Sequence, residues 1–197
     1  MDKQAEILEF GKELLKPRYD KDVSEIASKM ESSDLLEGMK KAFDLVCRKA
    51  CRQQEEGMKE PIAYLNVFSL RSSIITKSYE FLIQAFDDTL YYDDVETMET
   101  WTPKWIMEFY EQQVAYFENE VKKNVIRVHQ YELLPFERTL AGDYYKIVLV
   151  FLIEHLEEVL GLESFQKMKK TEDFQIQYGE YLGESITLFD GVEVIKL

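Results

Sequence analysis

Turn-forming residues are scarce in this chain. It has eight glycines and four prolines in 197 residues. Sandwiches and barrels need many turns, so this scarcity argues against them and for long helices. Cysteine is limited to Cys47 and Cys51, four residues apart on one expected helix. A disulfide between them would be geometrically awkward, and two reduced thiols suit a cytoplasmic protein. No apolar run comes near the roughly 20 residues that span a bilayer. The longest is Ile147–Ile153, and the N-terminal MDKQAEILEF has no apolar signal core. No membrane association is therefore expected.

Catalytic and cofactor fingerprints are also missing. There is no G-x-G-x-x-G, no P-loop, no H-E-x-x-H and no nucleophile elbow. The only histidines are His129 and His155. Ile126 and Leu152 stand three residues before them, so the Glu-x-x-His pairs of a di-iron bundle are absent. Cys47, Cys51, His129 and His155 together have the composition of a zinc site, but the histidines sit on separate elements and no tight knuckle frames the cysteines. We expect no metal and no cofactor, and the balance tilts away from an enzyme.

Charge is abundant but uneven. The formal net charge is −14, with 38 acids against 24 bases. Residues 1–60 are nearly balanced, with 14 acids and 12 bases. Residues 86–121 hold 10 acids and one base, and residues 171–197 hold six acids and one base. Spread evenly, such charge mostly confers solubility. Concentrated in two stretches, it also suits a basic partner and disfavours nucleic acid. The segment Asp22–Met30 followed by Ser32-Ser33 resembles a repressor helix-turn-helix, but its second helix would open on acids where phosphates should approach.

Periodicity predicts a mainly α, α+β fold. We expect a bundle of about six helices with one small β-hairpin near residues 78–93, in a single domain spanning 1–197. The polar, charge-balanced third that ends at Gly57 allows an N-terminal helical subdomain at 1–57. The expected helices are 2–16, ended by Pro17; 22–30; one capped by Ser32 or Ser33 and stopping at Gly57; and 61–77, where β-branched residues also allow a strand. Ile106, Tyr110, Val114, Phe117, Val121, Val125 and Val128 give a long helix from 103 to 130. Phe136 to Leu160 gives another, apolar nearly all round over Tyr144–Ile153. Phe174, Tyr178, Leu182 and Phe189 suggest a last helix with an extended tail. The rival reading is a hairpin pairing 186–189 with 192–195 around Asp190-Gly191.

The segment that most suggests function is acidic and aromatic. Asp87, Asp88, Asp93, Asp94, Glu96 and Glu99 fall within 13 residues, flanked by Tyr91, Tyr92, Trp101 and Trp105. The spacing is not that of an EF-hand, which needs a central glycine and a terminal Glu. Tyrosine and tryptophan beside carboxylates suit a protein interface or a pocket for a cationic ligand. We therefore expect a non-enzymatic interaction or regulatory domain. Its binding surface would comprise Asp87, Asp88, Tyr91, Tyr92, Asp93, Asp94, Glu96 and Trp101. The expected partner is a protein with a basic surface, and a second copy of the chain would suit the apolar surplus. An alternative is an enzyme or ligand-binding protein with an aromatic pocket near His129, His155 and Glu154. A second alternative is an acidic nucleic-acid mimic.

Overall fold

The computed structural model describes residues 3–30, 33–125 and 127–195. Its elements are α1 (Lys3–Lys29), α2 (Ser33–Glu55), β1 (Ile62–Ser69), α3 (Arg71–Thr76), β2 (Phe81–Phe86), β3 (Met98–Trp101), α4 (Lys104–Asn124), α5 (Gln130–Glu154), α6 (Leu156–Leu160), α7 (Glu163–Lys167), β4 (Lys170–Glu180) and β5 (Ser185–Phe189). The fold is mainly helical, of α+β class. It divides into two compact units. One contains α1, α4 and α5 as far as Val148, and the other contains residues from Ser33 to Pro103 and from Leu149 onward. No described helix is long and apolar enough to cross a membrane.

In the helical unit, α1 runs straight past Pro17 instead of ending there. Proline in a helix interior costs about 3 kcal/mol. Here Pro17 is exposed, while Ile7, Gly11, Leu15, Asp22 and Ile26 continue one buried face on both sides of it. Burial of that face outweighs the local penalty, so the expected helices 2–16 and 22–30 are one. The packing is closest at Gly11. A Cβ there would lie 2.5 Å from Phe136 Cε2 and 2.9 Å from Phe117 Cε2, and those two rings sit 4.1 Å apart. Asp22 is buried among three helices. Its Oδ2 accepts from Gln113 Nε2 at 2.5 Å and from Tyr144 Oη at 2.6 Å. Gln113 Oε1 in turn accepts from Arg18 Nε at 2.8 Å. Burial, then the hydrogen bond and charge of Asp22, raise the Tyr144 phenol well above its ordinary range.

The sheet unit corrects three expectations. Its five strands form one mixed sheet in the order β3-β2-β1-β4-β5. β1 is central, antiparallel to β2 and parallel to β4. Residues 61–77, expected as a helix, supply β1 and the short α3. A strand enclosed on both faces reads as a continuous apolar run, which helical spacing also fits. The expected last helix is instead β4 and β5. Phe174, Tyr178 and Leu182 recur at four, which suits both periods, and the buried Ile176 between them shows the strand alternation. Phe189 then bridges Val194, as in the rival hairpin reading. The small hairpin at 78–93 is also replaced. β2 pairs with β3, Phe81 opposite Trp101 and Gln84 opposite Met98, and Leu90–Tyr92 is a single 3-10 turn in the connection.

One sheet face is apolar. Leu65, Val67, Phe81, Ile83, Ala85, Trp101 and Ile176 are buried there, and α2 packs on β2 and β3, with α6 and α7 beside it. The α2 stripe Met39, Phe43, Val46, Cys47 and Ala50 is buried as its spacing requires. The expected capping residue Ser32 lies outside the described residues. Along α5, Tyr144–Ile153 is not apolar-enclosed all round, because Val150 reaches solvent.

Candidate functional site

The acidic stretch separates into two classes of carboxylate. Asp93 is structural. Its side chain is 3 % exposed and pairs with Lys59, which is 1 % exposed. Lys59 Nζ also donates to Ala85 O at 3.1 Å and Val95 O at 2.8 Å. Asp93 accepts from the backbone N–H groups of Asp87 and Val95, both at 3.0 Å. Asp87 is buried and turned inward, with Oδ1 accepting from Thr89 N at 2.8 Å and Thr89 Oγ1 at 2.5 Å. Gln53, from the end of α2, ties down the other side through Thr97 Oγ1 and Glu96 O. Asp88, Asp94 and Glu96 are exposed. Among the described residues no group of three or more His, Cys, Asp or Glu could hold a metal ion.

Once anchored, the 87–97 loop holds up its tyrosines. Tyr92 is 89 % exposed and Tyr91 44 %. They are joined by two residues of a distant segment, Tyr181 at 41 % and Leu182 at 68 %. β1 and β4 end together, Ser69 beside Glu180. Tyr181 N–H donates to Ser69 O at 3.1 Å, and Gly183 N–H closes a turn onto Glu180 O at 2.8 Å. Arg71 grips Glu180 through both prongs of its guanidinium, one at 2.7 Å. A Cβ on Gly179 would collide with the Glu184 carbonyl, so the turn needs glycine there. The Tyr91 and Tyr181 rings meet edge to face at 6.4 Å. Burial, then Tyr181, raises the Tyr91 phenol, while the Leu182 backbone lowers it. Both turns contain a leucine at positive φ, Leu90 at 55° and Leu182 at 59°. That is a rare conformation for a bulky residue, costing on the order of 1–3 kcal/mol each.

Trp101 does not join this surface. It is buried, stacked on Phe151 at 6.2 Å and tilted against Phe81. The candidate pocket residues are divided as well. His129 belongs to the helical unit, exposed and stacked on Tyr131, with its backbone N–H held by Glu132. His155 and Glu154 belong to the sheet unit, Glu154 exposed and His155 against Phe151 at 4.6 Å. His155 Nε2 is buried without a partner. Two concavities, of about 280 and 400 Å³, contain neither histidine. The first is lined by Leu15, Tyr19, Phe136 and Leu140, the second by Arg48, Cys51, Arg52, Glu55 and Lys167. Both cysteines are free thiols. Burial pushes Cys47 up to about 12, and Cys51 is also raised.

Lys59, Tyr181 and Leu182 were not among the sequence candidates. Lys59 follows a helix-ending glycine like any surface lysine, and nothing local marks it. The turn at 181–182 had a signal in Gly179 and Gly183, which bracket it. That signal is masked if the segment is taken as a helix. No family model matches the chain. No curated protein matches it in sequence, and no solved structure matches its fold.

Proposed function

We propose that this chain is a non-enzymatic interaction module that binds a basic protein segment through the surface around Tyr91, Tyr92, Tyr181 and Leu182. The observation supporting this reading is the joining of two remote segments into one exposed aromatic and aliphatic patch, bordered in sequence by the outward-turned Asp88, Asp94 and Glu96. Large exposed apolar side chains brought together in this way mark interaction sites more often than scattered ones do. Tyrosine is enriched at such sites because it couples contact area to a polar tip. The acids add charge complementarity, which speeds encounter and selects the partner's sign. Two free thiols favour a reducing, cytoplasmic setting for it.

The test is titration calorimetry with short arginine- and lysine-rich peptides at two salt concentrations. We expect binding that weakens with salt and is lost in the variant Asp88→Lys, Asp94→Lys, Glu96→Lys. Tyr92→Ala should weaken it at least several-fold. Asp87 and Asp93 are left unchanged, because altering them would disturb the loop itself. Binding indifferent to the triple charge reversal would sink the reading.

A further inference from the structure

The exposed Tyr91 and Tyr181 close a circuit of four aromatic rings with the buried Phe68 and Phe86. Phe68 meets Phe86 at 6.5 Å, Phe86 meets Tyr91 at 5.4 Å, Tyr91 meets Tyr181 at 6.4 Å, and Tyr181 returns to Phe68 at 5.5 Å. Every contact is edge to face, with interplanar angles of 66° to 89°. Phe68 stands opposite Leu82 and Phe86 opposite Tyr64, so the two phenylalanines start four residues apart along the strands, roughly 13 Å. Their rings nevertheless lie 6.5 Å apart, so they lean toward each other over the pair between them, Asn66 opposite Gln84. Asn66 is 2 % exposed. Its Oδ1 and the Oε1 of Gln84 are both buried with no hydrogen-bond partner.

We propose that this aromatic box is the receptor for one arginine side chain of the partner, with Asn66 Oδ1 and Gln84 Oε1 accepting from its guanidinium. The assignment rests on the interaction surface proposed above and names what that surface grips. Two neighbouring unpartnered acceptors call for a ligand with several N–H donors, since leaving buried acceptors unmade is costly. The surrounding rings offer π faces that attract a cation. Guanidinium meets both demands. It is flat, it stacks on aromatics, it presents a fork of donors, and it is more weakly hydrated than an ammonium. The exposed acids Asp88, Asp94 and Glu96, on the loop that follows Phe86, match its charge. The box has one half rooted in the sheet and one half carried on turns. Phe68 and Phe86 are buried in strands, whereas Tyr91 and Tyr181 are exposed on turns. Entry therefore replaces the Tyr91–Tyr181 contact and swings the Phe68 and Phe86 rings off the two acceptors they lean over, while their strands stay in place.

The experiment uses nuclear magnetic resonance on the whole chain, titrated with acetyl-Gly-Gly-Arg-Gly-Gly-amide and with the same peptide carrying citrulline or lysine. We expect the arginine peptide to shift the Asn66 and Gln84 side-chain amides and the Tyr91 and Tyr181 rings. Its Kd should be at least ten-fold lower than that of the uncharged citrulline isostere, and several-fold lower than that of the lysine peptide. Tyr181→Ala should raise it at least ten-fold. Tyr91→Ala, on the other turn, gives the same readout if the first variant fails to fold. Equal binding of arginine and citrulline peptides overturns the box. So do shifts confined to Tyr92, Asp88 and Asp94 with the box resonances still, though the interaction surface then stands. If no basic peptide shifts any residue of this region, both readings fall.

Discussion

Lys59 has three N–H donors, and the fold supplies three acceptors: the Asp93 carboxylate and the carbonyls of Ala85 and Val95. A buried ammonium is tolerated only when so satisfied. Removing one partner of such a pair typically costs about 3–5 kcal/mol, because the other charge stays buried alone. Lys59→Met should therefore lower unfolding free energy by about that much in urea titrations. Adding Asp93→Asn, which removes the unpaired charge while its amide oxygen can still accept from a loop N–H, should recover part of it. A Lys59→Met variant as stable as the parent would show the pair to be idle. Tyr144 gives a second expectation, set by pH. Its folded pKa is raised above the ordinary 10.0. The stability it contributes is then intact below about pH 10 and is lost as pH climbs beyond it, since only the unfolded phenol ionises there. Urea midpoints should fall between pH 9.5 and 11, and Tyr144→Phe should flatten part of that fall. An unchanged slope in the variant would show that Tyr144 does not couple to folding.

At the scale of elements, two glycines in helices make opposite predictions. Replacing glycine by alanine in a helix normally gains about 0.5–1 kcal/mol. At Gly11 the added Cβ would lie 2.5 Å from a buried phenylalanine. Overpacking of that kind costs typically 1–3 kcal/mol, so the loss wins. At Gly38 the nearest atom is Trp101 Nε1 at 3.8 Å, an ordinary contact. Thermal melts should show Gly11→Ala destabilised and Gly38→Ala unharmed or improved. Equal effects would contradict the close packing of α1. Helices with one wet face, α2 and α4, were legible from spacing, although α4 stops at Asn124 and not at the expected 130, where α5 already begins. β1 and β4 were not. β1 is buried on nearly every side, and the key apolar residues of β4 recur at an interval shared by both periods. Pro17 misled for a different reason: a local breaker lost to a buried face that extends beyond it on both sides.

The charge of the whole molecule was visible in the sequence, but its division of labour was not. Asp88, Asp94 and Glu96 face out while Asp87 and Asp93 hold the loop, because a lysine nearly thirty residues upstream of it folds in beneath. The aromatic box was out of reach for the same reason. Its walls come from the segments around 68, 86, 91 and 181, and only the register of the sheet joins them. That register places a demand on the ribosome. β1 needs β4 as its parallel neighbour, yet α4 and α5 are translated between them. At roughly 5–20 residues per second, β1, β2 and β3 emerge several seconds before β4 exists. For that interval the strand destined for the middle of the sheet has one open edge, the kind of edge on which nascent chains mispair. The pace of translation through α4 and α5 thus sets how long the growing chain stays exposed to aggregation.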